Sequence, residues 1–143
     1  MKPPGTMAGR WRGSLGAVAV MAALAVPGAG RAEDLVGDGV LLQGLDKVTA
    51  RISEVRVPLG TQVRFGALEI TAYKCLKHPP EETPESLALL EIRDARPGEP
   101  GTVLFRGWMF ASSPALNALE HPVYDVWVKG CLNARSAASN GPK

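Results

Sequence analysis

Cysteine is scarce in this chain, with two residues in 143, and the aromatics amount to three Trp, two Tyr and three Phe. No Cys-x-x-Cys pair occurs, so the spacing of a dithiol redox centre is missing. Glycine-rich phosphate loops, a dinucleotide fingerprint, a haem-attachment motif and a Gly-x-Ser-x-Gly nucleophile elbow are all absent, and no cofactor is expected. Neither sign of charge is in excess. Sixteen Lys and Arg stand against 14 Asp and Glu, which leaves no basic field of the kind that phosphate backbones require and argues against nucleic acid as a partner. What the chain does have is hydrophobic content of 45% for one core, together with 16 Gly and 12 Pro. That punctuation disfavours a helical bundle and favours short elements joined by turns.

Acids are also missing from the first 32 residues, where Lys2, Arg10 and Arg12 make a positive start. An apolar run from Leu15 to Val26 follows, Pro27 ends it, and Gly30-Arg31-Ala32 places small residues before a cut ahead of Glu33. Twelve residues at a helical rise of 1.5 Å span roughly 18 Å, short of the ~30 Å hydrocarbon core. The run therefore reads as a cleaved secretory signal peptide over residues 1–32, with a periplasmic product and no membrane span after cleavage. Cleavage would remove Lys2, Arg10, Arg12 and Arg31, leaving twelve basic residues against all 14 acids. A mildly acidic product has no electrostatic reason to seek nucleic acid or anionic lipid.

Cys75 and Cys131 both survive that cut, and two cysteines in an exported domain read as one disulfide. Metal ligation is the competing use, since Cys75-Leu76-Lys77-His78 has a ligand-like gap. A structural zinc needs four donors, however, and an oxidising compartment consumes thiols.

Residues 33–44 form a lead-in whose patch Val40-Leu41-Leu42 suits an edge strand. A single β-rich domain is expected over 45–131 and a loose polar tail over 132–143. Within the domain, Val48, Ala50 and Ile52 alternate with Thr49, Arg51 and Ser53, and the parity then shifts at Glu54, as a bulge would shift it. Pro58-Leu59-Gly60 suits a type I turn with Pro second. Leu68, Ile70 and Ala72 alternate with Glu69, Thr71 and Tyr73, and Gly66 before them marks a bulge or bend. Leu76 to Pro84 is a proline-rich loop. Ser86 to Ile92 is a buried strand, Asp94 to Gly101 a turn cluster, and Thr102 to Phe110 a further strand. Ser113 with Pro114 starts a short helix through Glu120, capped by the Ser113 hydroxyl and packed through Leu116 and Leu119. Tyr124 to Cys131 is the last strand. The expected architecture is mainly β, an antiparallel sandwich or barrel-like domain with one short helix and one disulfide.

Several stretches carry a family likeness: Leu45-Asp46-Lys47, Phe65-Gly66-Ala67-Leu68, Cys75 with its proline-rich loop, and Gly107-Trp108-Met109-Phe110-Ala111-Ser112-Ser113-Pro114. Glu120-His121-Pro122-Val123-Tyr124-Asp125-Val126-Trp127 and Cys131 complete it. On these residues the chain resembles the bacterial domain of unknown function family twenty-one fifty-five, small exported proteins mainly of alphaproteobacteria. The likeness runs from Gln43 to Cys131. It implies an exported domain and no particular activity.

Between Gly107 and Trp127 the sequence concentrates aromatic, small and conformationally special residues. Trp108, Tyr124 and Trp127 supply flat apolar surfaces, and Asn117, His121 and Asp125 supply directional hydrogen bonders, as small binding sites require. These six residues are the candidate contact surface, for an envelope protein or a cell-wall glycan. The bland alternative makes Trp108, Phe110, Tyr124 and Trp127 the core of a small sandwich. A hydrolase or transferase using His121 and Asp125, with Ser112 or Ser113 as nucleophile, is the catalytic alternative. The adjacent acids Glu81 and Glu82 point apart in a solvated loop and read as no carboxylate pair.

Overall fold

The computed structural model describes residues 32–136 without a break, together with residues 2–5, 9, 13, 28 and 30. The apolar run of the expected signal peptide and residues 137–143 of the expected tail lie outside the described residues. The strands are β1 (Leu35–Val36), β2 (Gly39–Asp46), β3 (Arg51–Pro58), β4 (Gln62–Phe65) and β5 (Leu68–Lys77). They continue with β6 (Ser86–Asp94), β7 (Thr102–Phe110), a 3₁₀ turn (Pro114–Asn117), β8 (Tyr124–Leu132) and β9 (Arg135–Ser136). One sheet runs in the order β7-β6-β5-β1-β9, with β4 also paired to β5, and the other runs β3-β2-β8. Each strand pairs antiparallel to its neighbours.

Alternation explains the core. Leu68, Ile70 and Ala72 of β5 and Ala88, Leu90 and Ile92 of β6 turn inward from the first sheet. Val40 and Leu42 of β2, Val55 and Val57 of β3, and Val126 and Val128 of β8 meet them from the second. Two faces buried against each other make an open sandwich, not a closed barrel. Cys75 on β5 is bonded to Cys131 on β8, with Cα atoms 5.6 Å apart, so the bridge joins the two sheets. With its sulfur in that bond, Cys75 is no metal ligand beside His78.

Several local expectations are corrected. Gly39–Asp46 is the middle strand of its sheet, not an edge, because β3 and β8 pair with its two sides. No bulge occurs at Glu54. The β2–β3 register runs unbroken from Gly39 opposite Pro58 to Asp46 opposite Arg51. Val48 and Ala50 belong to the hairpin turn, where the Asp46 carboxylate accepts the Val48 and Thr49 amides at 2.9 and 3.2 Å. Those bonds, that of Thr49 first, hold the Asp46 carboxyl below its ordinary value. Val48 is therefore 77% exposed. At Pro58 the turn is shifted by one: Thr61 N–H donates to Pro58 C=O, so Pro is first and Gly60, at φ +74°, is third. A left-handed third position is the type II geometry.

Gly66 is neither bulge nor bend. With Ala67 it forms a two-residue hairpin closing Phe65 on Leu68, and its φ of +58° at the first central position is the type II′ arrangement that favours glycine. A side chain there would also run into the Tyr124 ring.

The expected helix is a single 3₁₀ turn, Pro114–Asn117, and the Ser113 side chain makes no capping bond. The expected pair of packing residues divides accordingly. Leu116 on the turn is 74% exposed, while Leu119 beyond it is 5% exposed and joins the core. Leu119→Ala is expected to cost about 2–4 kcal/mol in urea unfolding, and Leu116→Ala to change stability by less than about 0.5 kcal/mol. Equal losses would contradict the packing described.

Candidate functional site

The segment between β7 and β8 passes from the first sheet to the second, and its two ends are held by different means. At the start, Asn117 Nδ2 donates to the Trp108 carbonyl at 2.7 Å. That bond satisfies a backbone acceptor on β7, an edge strand that otherwise presents unpaired groups. Asn117 thus serves the fold. Gly107 lies beside it at φ +156°, where a Cβ would meet Asn117 Nδ2 at 3.4 Å.

At the far end, the His121 side chain is only 4% exposed. Its Nδ1 accepts two backbone N–H groups, those of Val123 and Tyr124, each at 3.1 Å. An Nδ1 that accepts places the ring proton on Nε2, which lies 3.6 Å from Asp94 Oδ2 at the end of β6. Arg96 pairs with the same Asp94 oxygen at 3.3 Å. Lys47, following β2, donates to the His121 carbonyl at 2.9 Å and pairs with Asp125 at 3.0 Å. The Tyr124 ring lies 5.2 Å from the imidazole and meets Phe65 edge-on at 5.5 Å. His121 therefore pins the ends of β2, β6 and β8 to the β7–β8 segment.

This placement divides the six-residue candidate surface. His121 is not on the surface, because burial and backbone bonds enclose its ring. Tyr124 packs against the core. Trp108, opposite Leu89, and Trp127, opposite Gln43, are half-buried and stand outside the core cluster, as does Phe110 opposite Leu87. The core reading thus holds for Tyr124 among those aromatics. Asp125 and Trp127 do come together. With Pro114, Ala115, Ala118, Leu119 and Val126 they line a groove of about 280 Å³ along β8, the edge strand of its sheet.

The catalytic combination is not assembled. Asp125 faces Lys47, while His121 faces Asp94. The Ser112 hydroxyl and amide both donate to the Glu85 carboxylate, which also accepts the Ser86 amide. Partial burial pushes the Glu85 carboxyl up, but the Ser112 and Ser86 bonds outweigh it and hold it below the ordinary glutamate value. Ser112 is thereby a donor to an anion, without a base to activate it.

Asp94, Lys47, Glu85 and the wall of Pro114, Ala115 and Ala118 were not singled out in the sequence as site residues. Asp94 is 27 positions before His121 and carries no local signal of the pairing. Lys47 lies within Leu45-Asp46-Lys47, so its motif was visible without its role.

A two-sheet antiparallel domain with a cross-sheet disulfide and a groove on its second sheet is the class these features define. The chain belongs to the family described as uncharacterized protein conserved in bacteria (DUF2155), whose model matches residues 40–131. It is similar to an uncharacterized protein of Rickettsia prowazekii (strain Madrid E), at 34% identity over 88 residues, 62% of this chain and 57% of the relative. The chain thus spans little more than half the length of that curated relative. No solved structure matches. Among the described residues, no helix is long and apolar enough to cross a membrane.

Proposed function

We propose that this protein is an exported, non-catalytic module of the periplasm that binds an extended segment of another envelope protein in the groove beside Trp127. The groove carries the reading. Its walls, from Pro114, Ala115, Ala118, Leu119 and Trp127, are apolar, with the Asp125 carboxylate at one side. A small number of polar groups in an apolar cleft suits a peptide side chain better than a sugar, which needs hydrogen bonders throughout. The position along an edge strand suits an extended chain, since such a strand offers backbone donors and acceptors to a ligand. Export is supported by the charged, apolar and small-residue order of the first 32 residues and by the Cys75–Cys131 bond, because such bonds persist in oxidising compartments. Against the hydrolase alternative stand the separate commitments of Ser112, His121 and Asp125.

A photoreactive residue at Ala118 tests the reading in intact cells. One envelope protein is expected to be crosslinked from position 118 and not from Val103, which is exposed on β7 away from the groove lining. Crosslinks to cell-wall glycan would replace the peptide by a sugar ligand, and equal yields from both positions would contradict the groove as the site.

A further inference from the structure

The buried imidazole sits in an arrangement that one proton can undo. Both amides facing Nδ1 are donors, and they come from Val123 and Tyr124, where the chain enters β8. A proton on Nδ1 would turn the acceptor into a third donor and leave two partly buried N–H groups facing N–H. At the other nitrogen the ring faces the Asp94 carboxylate, so a doubly protonated ring keeps its attraction there while losing its hold on β8. The consequence reaches the groove, because Ala118 and Leu119 line it and lie on the segment that His121 fastens.

We infer that His121 is a proton-sensitive latch on residues 118–123, closed while Nδ1 is unprotonated and released when it gains a proton. Release lets this wall of the groove move, so the shape of the groove follows the pH of the surroundings. Charged and titratable groups surround His121, directly or through one partner, from each packed element. From the end of β6 comes Asp94, backed by Arg96. From the end of β2 comes Lys47, held between the His121 carbonyl and Asp125. From β8 come Tyr124 and that same Asp125. Glu120 precedes His121 on its own segment and is exposed, while the β4–β5 turn contributes Gly66 and Ala67 and no ionisable group. Of these, Lys47 still grips the His121 carbonyl after protonation, so the segment opens about that tether and is not freed outright.

The test is amide exchange followed residue by residue from about pH 7.5 to about pH 5, the interval in which imidazole titrates. Protection factors at Val123 and Tyr124 are expected to fall by roughly tenfold or more, with Leu90 and Val128 unchanged. His121→Asn supplies the control, since an amide oxygen can accept the two N–H groups and has no proton to gain. Its protection at the same two positions should stay flat with pH. Uniform protection in the natural protein, or an equal fall in His121→Asn, overturns the latch. If the variant does not fold, the ring nitrogen shifts of the natural protein decide. Arrival of the second ring proton should coincide with loss of both amides, and a doubly protonated ring with both amides still protected overturns the proposal.

Discussion

Breaking the Cys75–Cys131 bond, by reduction or by paired alanine substitution, is expected to remove about 4 kcal/mol of stability. The bond closes a sequence separation of 56 residues, and in the chain-entropy account such a loop restricts the unfolded ensemble by about that amount. A domain of this size holds only ~5–15 kcal/mol in total. The reduced protein should therefore lose a large fraction of its stability. The physical setting makes the effect large. Cys75 is fully buried between the sheets, and among the described residues this is the only disulfide between them. Chemical unfolding under oxidising and reducing conditions reads the difference, and coincident curves would show that packing alone holds the sandwich.

His121→Ala is expected to cost about 3 kcal/mol at neutral pH. Truncation leaves the Val123 and Tyr124 amides without their acceptor in a partly buried setting, at about 1–3 kcal/mol for each orphaned group. It also removes the ring between Tyr124 and Asp94. His121→Asn should recover much of this loss through its side-chain oxygen. Asp125→Ala, by contrast, breaks only a half-exposed pair with Lys47 and should change stability by less than about 1 kcal/mol. A large loss for Asp125→Ala with little for His121→Ala would reverse the roles assigned to the two residues.

The strands were legible where burial imposes a two-residue period along an element without turns. Leu68, Ile70 and Ala72 are inward as their alternation implies, and Thr102 to Phe110 has the expected bounds. Alternation misled where a turn happened to share the period. Val48 and Ile52 look like one face of a strand, yet the Asp46 side chain bonds its own following amides and starts a turn. No boundary lies at Glu54: β3 begins at Arg51, with Ser53, Val55 and Val57 on its inward face and Ile52, 56% exposed, on the outward one. The lead-in was misjudged for a different reason. Whether Gly39–Asp46 is edge or centre depends on β8, which begins only at Tyr124.

The site was legible in composition and not in arrangement. Residues 107–127 contain Trp127, which lines the groove, and His121, which is buried. The sequence offered Asp125, four positions on, as the carboxylate for His121. The fold instead brings Asp94 from another strand and gives Asp125 to Lys47. Asn117 looked like a ligand donor because nothing local shows that the Trp108 carbonyl needs it. Such pairings are decided by tertiary approach, which no spacing within the segment encodes.

Trp127→Ala tests the central claim most directly, because Trp127 lines the groove while standing outside the core. The measurement is the crosslinking yield from position 118 in cells, alongside the melting temperature of the purified variant. A variant that melts within a few degrees of the natural protein and loses nearly all crosslinking from position 118 is the predicted result. Undiminished crosslinking by a folded Trp127→Ala protein would contradict a binding role for the groove.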